Sequence, residues 1–404
     1  MTSENKGPFE WLSGGLIFGK KGGIEGVDSC KDVGALITGM DENLKEICLQ
    51  QESSAEAAKF LEARSSRLRF LLYEERRITS SQESRRSSPA VAGATVGALT
   101  GDSMSHLVPR LLDNLGALPF ESRKHVASIV NYLLVCGLEG SDGHLYQPLM
   151  NSFRDYVASR YDEIISTLVK GHDCELHGGQ ADCSLHFGSM LRSCLRHVAL
   201  YQQLTITTER TQRFVFPFLD KYVHLPNFDV SSDAMETLRI IFTGSSSSGA
   251  TAHQHDEQTQ QAMAEIAANF LTRDYDAIWV QRFPLLLTET ANYMTRRMAL
   301  QILSTVLLTR SNYAVMIKYV AERRNLVLVM KLLRDTSPHI TLDAFHVFKV
   351  FVANPNKPPE IIKILKDNKE KLCRYLETLH KDREEADTQF RDEKALIIAT
   401  IEGL

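Results

Sequence analysis

Long hydrophobic runs are absent from this 404-residue chain: no stretch of about 18 apolar residues occurs, which excludes a membrane-spanning helix. Charge of one sign is lacking too. The 46 basic and 50 acidic residues leave a net charge of −4, so no global basic excess draws the chain to nucleic acid. Glycine (23) and proline (12) are too sparse for a collagen-like or wholly disordered chain. Seven cysteines, odd in number and widely spread, read as reduced thiols and not as a disulfide frame. Nucleophile elbow, P-loop, dinucleotide fingerprint, kinase catalytic loop, His-Glu-x-x-His and twelve-residue calcium loop are all missing. Their absence argues against the common enzyme classes and leaves no cofactor or small-molecule substrate to expect. The opening Met-Thr-Ser-Glu-Asn-Lys has no signal-peptide core, and the expectation is a cytoplasmic protein.

What is present is helical periodicity. Residues 1–28, with Gly14-Gly15 and Gly19-Lys20-Lys21-Gly22-Gly23, read as a flexible arm. Residues 29–75 carry N-terminal helices. Residues 76–102, with Arg85-Arg86-Ser87-Ser88-Pro89 and the small residues after it, read as a disordered linker. From 103 to 404 apolar residues recur at helical spacing between turn signals such as Gly137, Pro226, Gly244, Pro338 and Pro355. A Ser-rich insertion interrupts this region at 244–257. Alternating patterns are too short and few to build a sheet.

A repeat underlies the helices. Gly188, Ala234, Ala299 and Ala344 each sit early in a helix, with bulky pairs three or four positions on: Thr237/Leu238, Ile302/Leu303 and Val347/Phe348. The small residues are 46, 65 and 45 apart, and the middle gap holds the Ser-rich insertion. Armadillo and HEAT repeats run ~40–47 residues. The expected fold is therefore all-α, an armadillo/HEAT-like superhelix shaped as a curved horseshoe rod. Its hollow side would suit a protein partner better than a metabolite.

Two local patterns invite chemistry. Cys174-x-x-His177, Cys183-x-x-His186 and Cys194-x-x-His197 carry zinc-type ligands, but their spacing matches no common zinc module. At 100° per residue, Cys183, His186, Met190, Cys194 and His197 share one helical stripe, which reads as a packing face with no metal. Ser87 and Ser88 follow a basic pair, and Ser88 precedes a proline, a pattern that suits phosphorylation.

Several stretches are distinctive: Asn292-Tyr293-Met294-Thr295-Arg296-Arg297, Arg310-Ser311-Asn312-Tyr313, Leu332-Leu333-Arg334-Asp335 and the run from Asp343 to Lys357. With Met190-Leu191-Arg192, Phe228-Asp229 and Gln389-Phe390-Arg391-Asp392, they make the chain resemble the Mo-twenty-five (calcium-binding protein thirty-nine) scaffold family, most strongly over about 155–404. The resemblance implies a horseshoe without enzymatic activity that binds a pseudokinase, or a germinal-centre (sterile-twenty-like) protein kinase, and activates the kinase. It also implies a part in polarity, cytokinesis and cell-growth signalling. It carries the family's kinase-facing concave positions onto Phe228, Tyr293, Arg297 and Gln301, the last in place of a Lys. A second contact falls on Arg310 and Tyr313, with Tyr in place of Phe. A C-terminal pocket for a Trp-Glu-Phe peptide tail falls on Val327, Met330 and Leu333, with Val327 in place of the rim Lys. An armadillo-type peptide or cargo adaptor unrelated to kinases is the alternative. It would need an Asn- and Trp-lined helix ladder, whereas the chain has only Trp11 and Trp279.

Overall fold

The computed structural model describes residues 24–28, 30–49, 54–79, 89–138, 142–245 and 257–404. Every regular element among them is helical, and none of the helices is long and apolar enough to cross a membrane. The chain divides after Leu200 into two compact units.

In the first unit, α1 (Val33–Cys48) packs along α2 (Ser54–Thr79), α2 along α4 (Phe120–Val135), and α4 along α7 (Ala181–Leu195). Between them lie α3 (Ala90–Thr100), α5 (Gly143–Ser159) and α6 (Tyr161–Lys170). The linker expected at 76–102 is corrected here: α2 runs on to Thr79 and α3 occupies Ala90–Thr100. The α3 sequence Ala-Val-Ala-Gly-Ala-Thr-Val-Gly-Ala-Leu-Thr is uniformly apolar and small, so it shows no amphipathic period. Its helix is fixed from outside. The Glu75 carboxylate accepts from the N–H groups of Val91 (2.6 Å) and Ala92 (2.9 Å), two donors that no intrahelical carbonyl can satisfy. Packing against α1 and α5 covers the rest. Ser87 and Ser88 lie outside the described residues, as does most of the N-terminal arm.

In the second unit, α8 (Phe228–Thr243), α10 (Tyr293–Leu308) and α13 (Pro338–Ala353) lie side by side as a ladder, each 16 residues long. Helices α9 (Glu257–Arg273), α11 (Tyr313–Ala321) and α12 (Arg323–Leu332) connect them, and α14 (Thr388–Glu402) packs on α13. The repeat read from the sequence is present. Ala234, Ala299 and Ala344 each stand seventh in their ladder helix and are 0% exposed, where a larger side chain would hold the neighbours apart. In α14 the same position is Lys394. Its buried ammonium donates to the carbonyls of Glu377 (3.3 Å) and Leu379 (3.0 Å) and pairs with Glu384. Gly244 ends α8 in the left-handed conformation (φ 64°), and a Cβ there would meet the Met263 backbone at 2.7 Å. Beyond it, residues 246–256 of the Ser-rich insertion lie outside the described residues.

Two stretches of helical spacing do not fold as single α-helices. Residues 182–204 divide into α7 and a separate turn of helix, Val198–Thr205. Residues 274–289 form a π-helical turn (Asp276–Val280) and a 3₁₀ turn (Phe283–Leu287), because Pro284 supplies no N–H to an α-helical ladder.

Candidate functional site

The site begins with two asparagines. The Asn227 side chain accepts from Val230 N (3.1 Å) and that of Asn292 from Thr295 N (2.8 Å), capping α8 and α10. The caps make Phe228 and Tyr293 the first helical residues of neighbouring helices. An aromatic there leans back past the helix start, away from the core. Phe228 is 59% and Tyr293 40% exposed, unusual for rings of that size in a chain whose other aromatics are largely buried.

Tyr293, Arg297 and Gln301 follow at i, i+4 and i+8 and so share one face of α10. Asp343 of α13 organises that face. Its carboxylate lies 3.6 Å from Arg297 Nε and accepts from Gln301 Nε2 at 3.3 Å. Burial pushes the Asp343 carboxyl above the usual range, and Arg297 and Gln301 oppose that shift. The neighbouring Arg296 pairs with Asp335 just ahead of α13. The two helices therefore present two aromatic rings, a half-buried guanidinium beside a carboxylate, and an exposed carboxamide. They can bind by apolar contact and charge. They have no nucleophile–base pair.

The remaining predicted residues divide differently. Arg310 and Tyr313 (63% exposed) are surface residues, and so is Leu308 (67%) just before them. They stand at the far end of α10 from Tyr293, about 22 Å away at 1.5 Å per residue, and so lie apart from the α8/α10 face. Of the C-terminal three, Val327 and Met330 are half-buried. Leu333 is 1% exposed, and its carbonyl accepts from the Tyr375 hydroxyl. Leu333 is thus a core residue, a correction to its placement in a peptide pocket. Spacing alone could not distinguish a lining residue from a core residue there. The sequence alone does not single out Asp343 or the two Asn caps, although Asn292 and Asp343 each open a distinctive stretch.

The Cys/His stripe of α7 faces inward. Cys183, Met190, Cys194 and His197 are buried, and His197 Nε2 donates to the Leu134 carbonyl at 2.6 Å. His177 stacks on Phe187 with centroids 5.1 Å apart. Burial lowers the basicity of His177 and His186. Among the described residues no group of three or more His, Cys, Asp or Glu is arranged to hold a metal ion. Burial also pushes the thiols up, Cys183 to about 11 and Cys136 and Cys194 to about 12. Iodoacetamide at pH 8 is therefore expected to alkylate exposed Cys48 and leave these three unmodified until the fold is opened by urea. Peptide mass spectrometry would read this, and early labelling of Cys183 or Cys194 would contradict the packing.

An all-helical repeat architecture of this kind is that of a scaffold-type protein. The chain belongs to the Mo25-like family, whose model matches residues 42–404. It is 34% identical over 300 residues to the human protein named calcium-binding protein 39-like, covering 74% of this chain and 76% of that one. It is 35% identical over 309 residues to the Mo25-like protein of Schizosaccharomyces pombe (74% and 78%). Against the degreening-related gene dee76 protein of Auxenochlorella protothecoides it is 36% identical over 302 residues (73% and 78%).

Proposed function

We propose that this chain is a cytoplasmic, non-catalytic scaffold that binds a protein kinase and activates it allosterically. The partner is a germinal-centre (sterile-twenty-like) kinase, or a pseudokinase–kinase complex. The setting is polarity, cytokinesis or cell-growth signalling. The observation that carries the reading is the α8/α10 pair, two packed helices that each begin with an exposed aromatic, Phe228 and Tyr293, with Arg297 3.6 Å from the Asp343 carboxylate. Aromatic and arginine side chains are the residues on which protein interfaces most often depend. Activation requires only that the scaffold bind the kinase's active conformation better than its inactive one, and about 1.4 kcal/mol of difference shifts the balance tenfold. Arg310 and Tyr313 supply a second contact on the same partner or its complex, and Val327 and Met330 a surface for a peptide tail.

The test is to mix the purified chain with the organism's germinal-centre kinases and measure binding and kinase activity. Arg297→Ala is expected to weaken binding about tenfold, the effect of an interface arginine worth roughly 1–2 kcal/mol, with helical content unchanged. No activation of any kinase by the unaltered chain would overturn the proposal. Loss of helical content in the variant would show that Arg297 serves the fold.

A further inference from the structure

Helix α2 carries two exposed rings on one face. Phe70 is 52% and Tyr73 45% exposed, and they stand at i and i+3. An arginine one turn earlier flanks each of them. The Arg67 guanidinium lies 5.2 Å from the Phe70 ring centroid, and that of Arg69 lies 5.2 Å from the Tyr73 centroid. Tyr73 also leans on Tyr132 of α4, with centroids 5.3 Å apart. Arg67 Nε donates to the Cys30 carbonyl at 2.7 Å, and Arg69 opposes protonation of His125 on α4. Neither arginine forms an ion pair with a carboxylate among the described residues. Arg77, one turn beyond Tyr73, pairs with Glu74 at 2.6 Å and adds no net charge. The face is therefore apolar at its centre and positive along its edge, and all of it belongs to the first unit.

The start of the chain arrives at this face. The short helix Ile24–Asp28 packs on α2 with Val27 buried, and the Cys30 carbonyl that follows it is the one Arg67 holds. Residues 1–23 lie outside the described residues. Their sequence contains Pro8-Phe9-Glu10-Trp11-Leu12, large apolar side chains around one carboxylate. Residues 13–23 reach about 35–40 Å when extended, ample to bring Trp11 to a ring that Arg67 links to Cys30. The other apolar run of this segment, Leu16-Ile17-Phe18, is followed by Lys20-Lys21 and brings cations, where two arginines favour an acid.

We infer that residues 8–12 dock on the Phe70/Tyr73 face of α2 in the same chain. The Phe9 and Trp11 rings meet Phe70 and Tyr73, and the Glu10 carboxylate meets the arginines at their edge. The tether holds the segment at an effective concentration on the order of millimolar, so weak contacts suffice. The contact needs no partner protein and stands independently of the kinase reading.

The experiment uses the full chain. Trp11 and Trp279 are its only tryptophans, so Trp279→Phe leaves Trp11 as the single indole reporter. Acrylamide should quench Trp11 in that chain about threefold less efficiently than in a synthetic peptide of residues 1–23. The protection should be constant across about a hundredfold range of protein concentration, as a contact within one chain requires. Phe70→Ser and Glu10→Arg, introduced separately, should each restore the quenching of the peptide with circular dichroism unchanged. Quenching equal to the peptide's before either change, or protection that survives either one, would overturn the inference. So would protection that grows with concentration, which would mean that a second copy supplies the segment. Should Trp279→Phe fail to fold, chymotrypsin provides the reading in the chain with both tryptophans. Cleavage after Trp11 should be about tenfold slower than in the Phe70→Ser variant, and equal rates would overturn the docking.

Discussion

Trp279→Ala is expected to destabilise the second unit by about 3–5 kcal/mol, the range for truncating a large buried aromatic. Trp279 is 0% exposed in the π-helical turn, and its ring centroid lies 4.7 Å from Phe283, 5.7 Å from Phe242 and 5.9 Å from Tyr319. Phe242 continues to Phe270 at 6.0 Å and Tyr319 to Phe351 at 6.1 Å. One ring cluster therefore joins α8, α9, α11 and α13, and the tryptophan lies at its centre. Removing it opens a cavity bordered by Phe242 of α8, Tyr319 of α11 and Phe283. The walls cannot collapse without shifting the ladder that carries Phe228 and Tyr293. For a unit of roughly 200 residues the loss corresponds to a melting shift on the order of 10 °C. Urea titration followed by circular dichroism is the measurement, with the midpoint falling and the slope unchanged. Trp279→Phe should cost far less. It keeps a ring in the cluster and removes an indole N–H that has no acceptor in its surroundings. A loss below 1 kcal/mol for the alanine variant would mean that the rings do not pack as described.

Much of this architecture is legible in the sequence because the ladder repeats. A small residue seventh in the helix is needed wherever two ladder helices cross, so Ala234, Ala299 and Ala344 mark the period without any coordinates. The Asn caps and Pro338 mark where the helices begin. What stays hidden depends on contacts distant in sequence. Helix α3 is legible only once Glu75, 16 residues upstream of Val91, is seen to cap it. The π-turn around Trp279 leaves no mark in the apolar period of its own segment. Leu333 and Met330 have the same apolar character and helical spacing, and only burial separates the core residue from the surface one. It is the resemblance to the scaffold family that implies Phe228, Tyr293 and Arg297. Their mutual arrangement required the two caps and Asp343, whose role no single window of sequence contains.

Phe228→Ala/Tyr293→Ala is expected to weaken kinase binding by about two to three orders of magnitude while leaving the fold intact. The two halves of that expectation have different causes. In the free chain Phe228 lies mostly and Tyr293 partly in water, so truncation removes limited buried contact. Surface changes of this kind fall within roughly 0.5 kcal/mol. Asn227 and Asn292 still cap their helices, since the capping bonds run to the backbone of Val230 and Thr295 and not to the aromatic side chains. In the complex, each ring would be transferred from water into the partner, and an anchoring aromatic typically contributes about 2 kcal/mol or more. Two such losses approach 4 kcal/mol, close to a thousandfold. The helices are adjacent, so the two substitutions will not add perfectly, and the lower bound allows for that coupling. Arg297 is left behind in the variant, still braced by Asp343. Electrostatic attraction should therefore persist, and the loss should appear mainly as faster dissociation, with a smaller effect on association. Surface plasmon resonance separates the two rates. A double variant that binds with unchanged lifetime would show that the exposed rings are not the anchors, and the α8/α10 face would lose its claim to the partner.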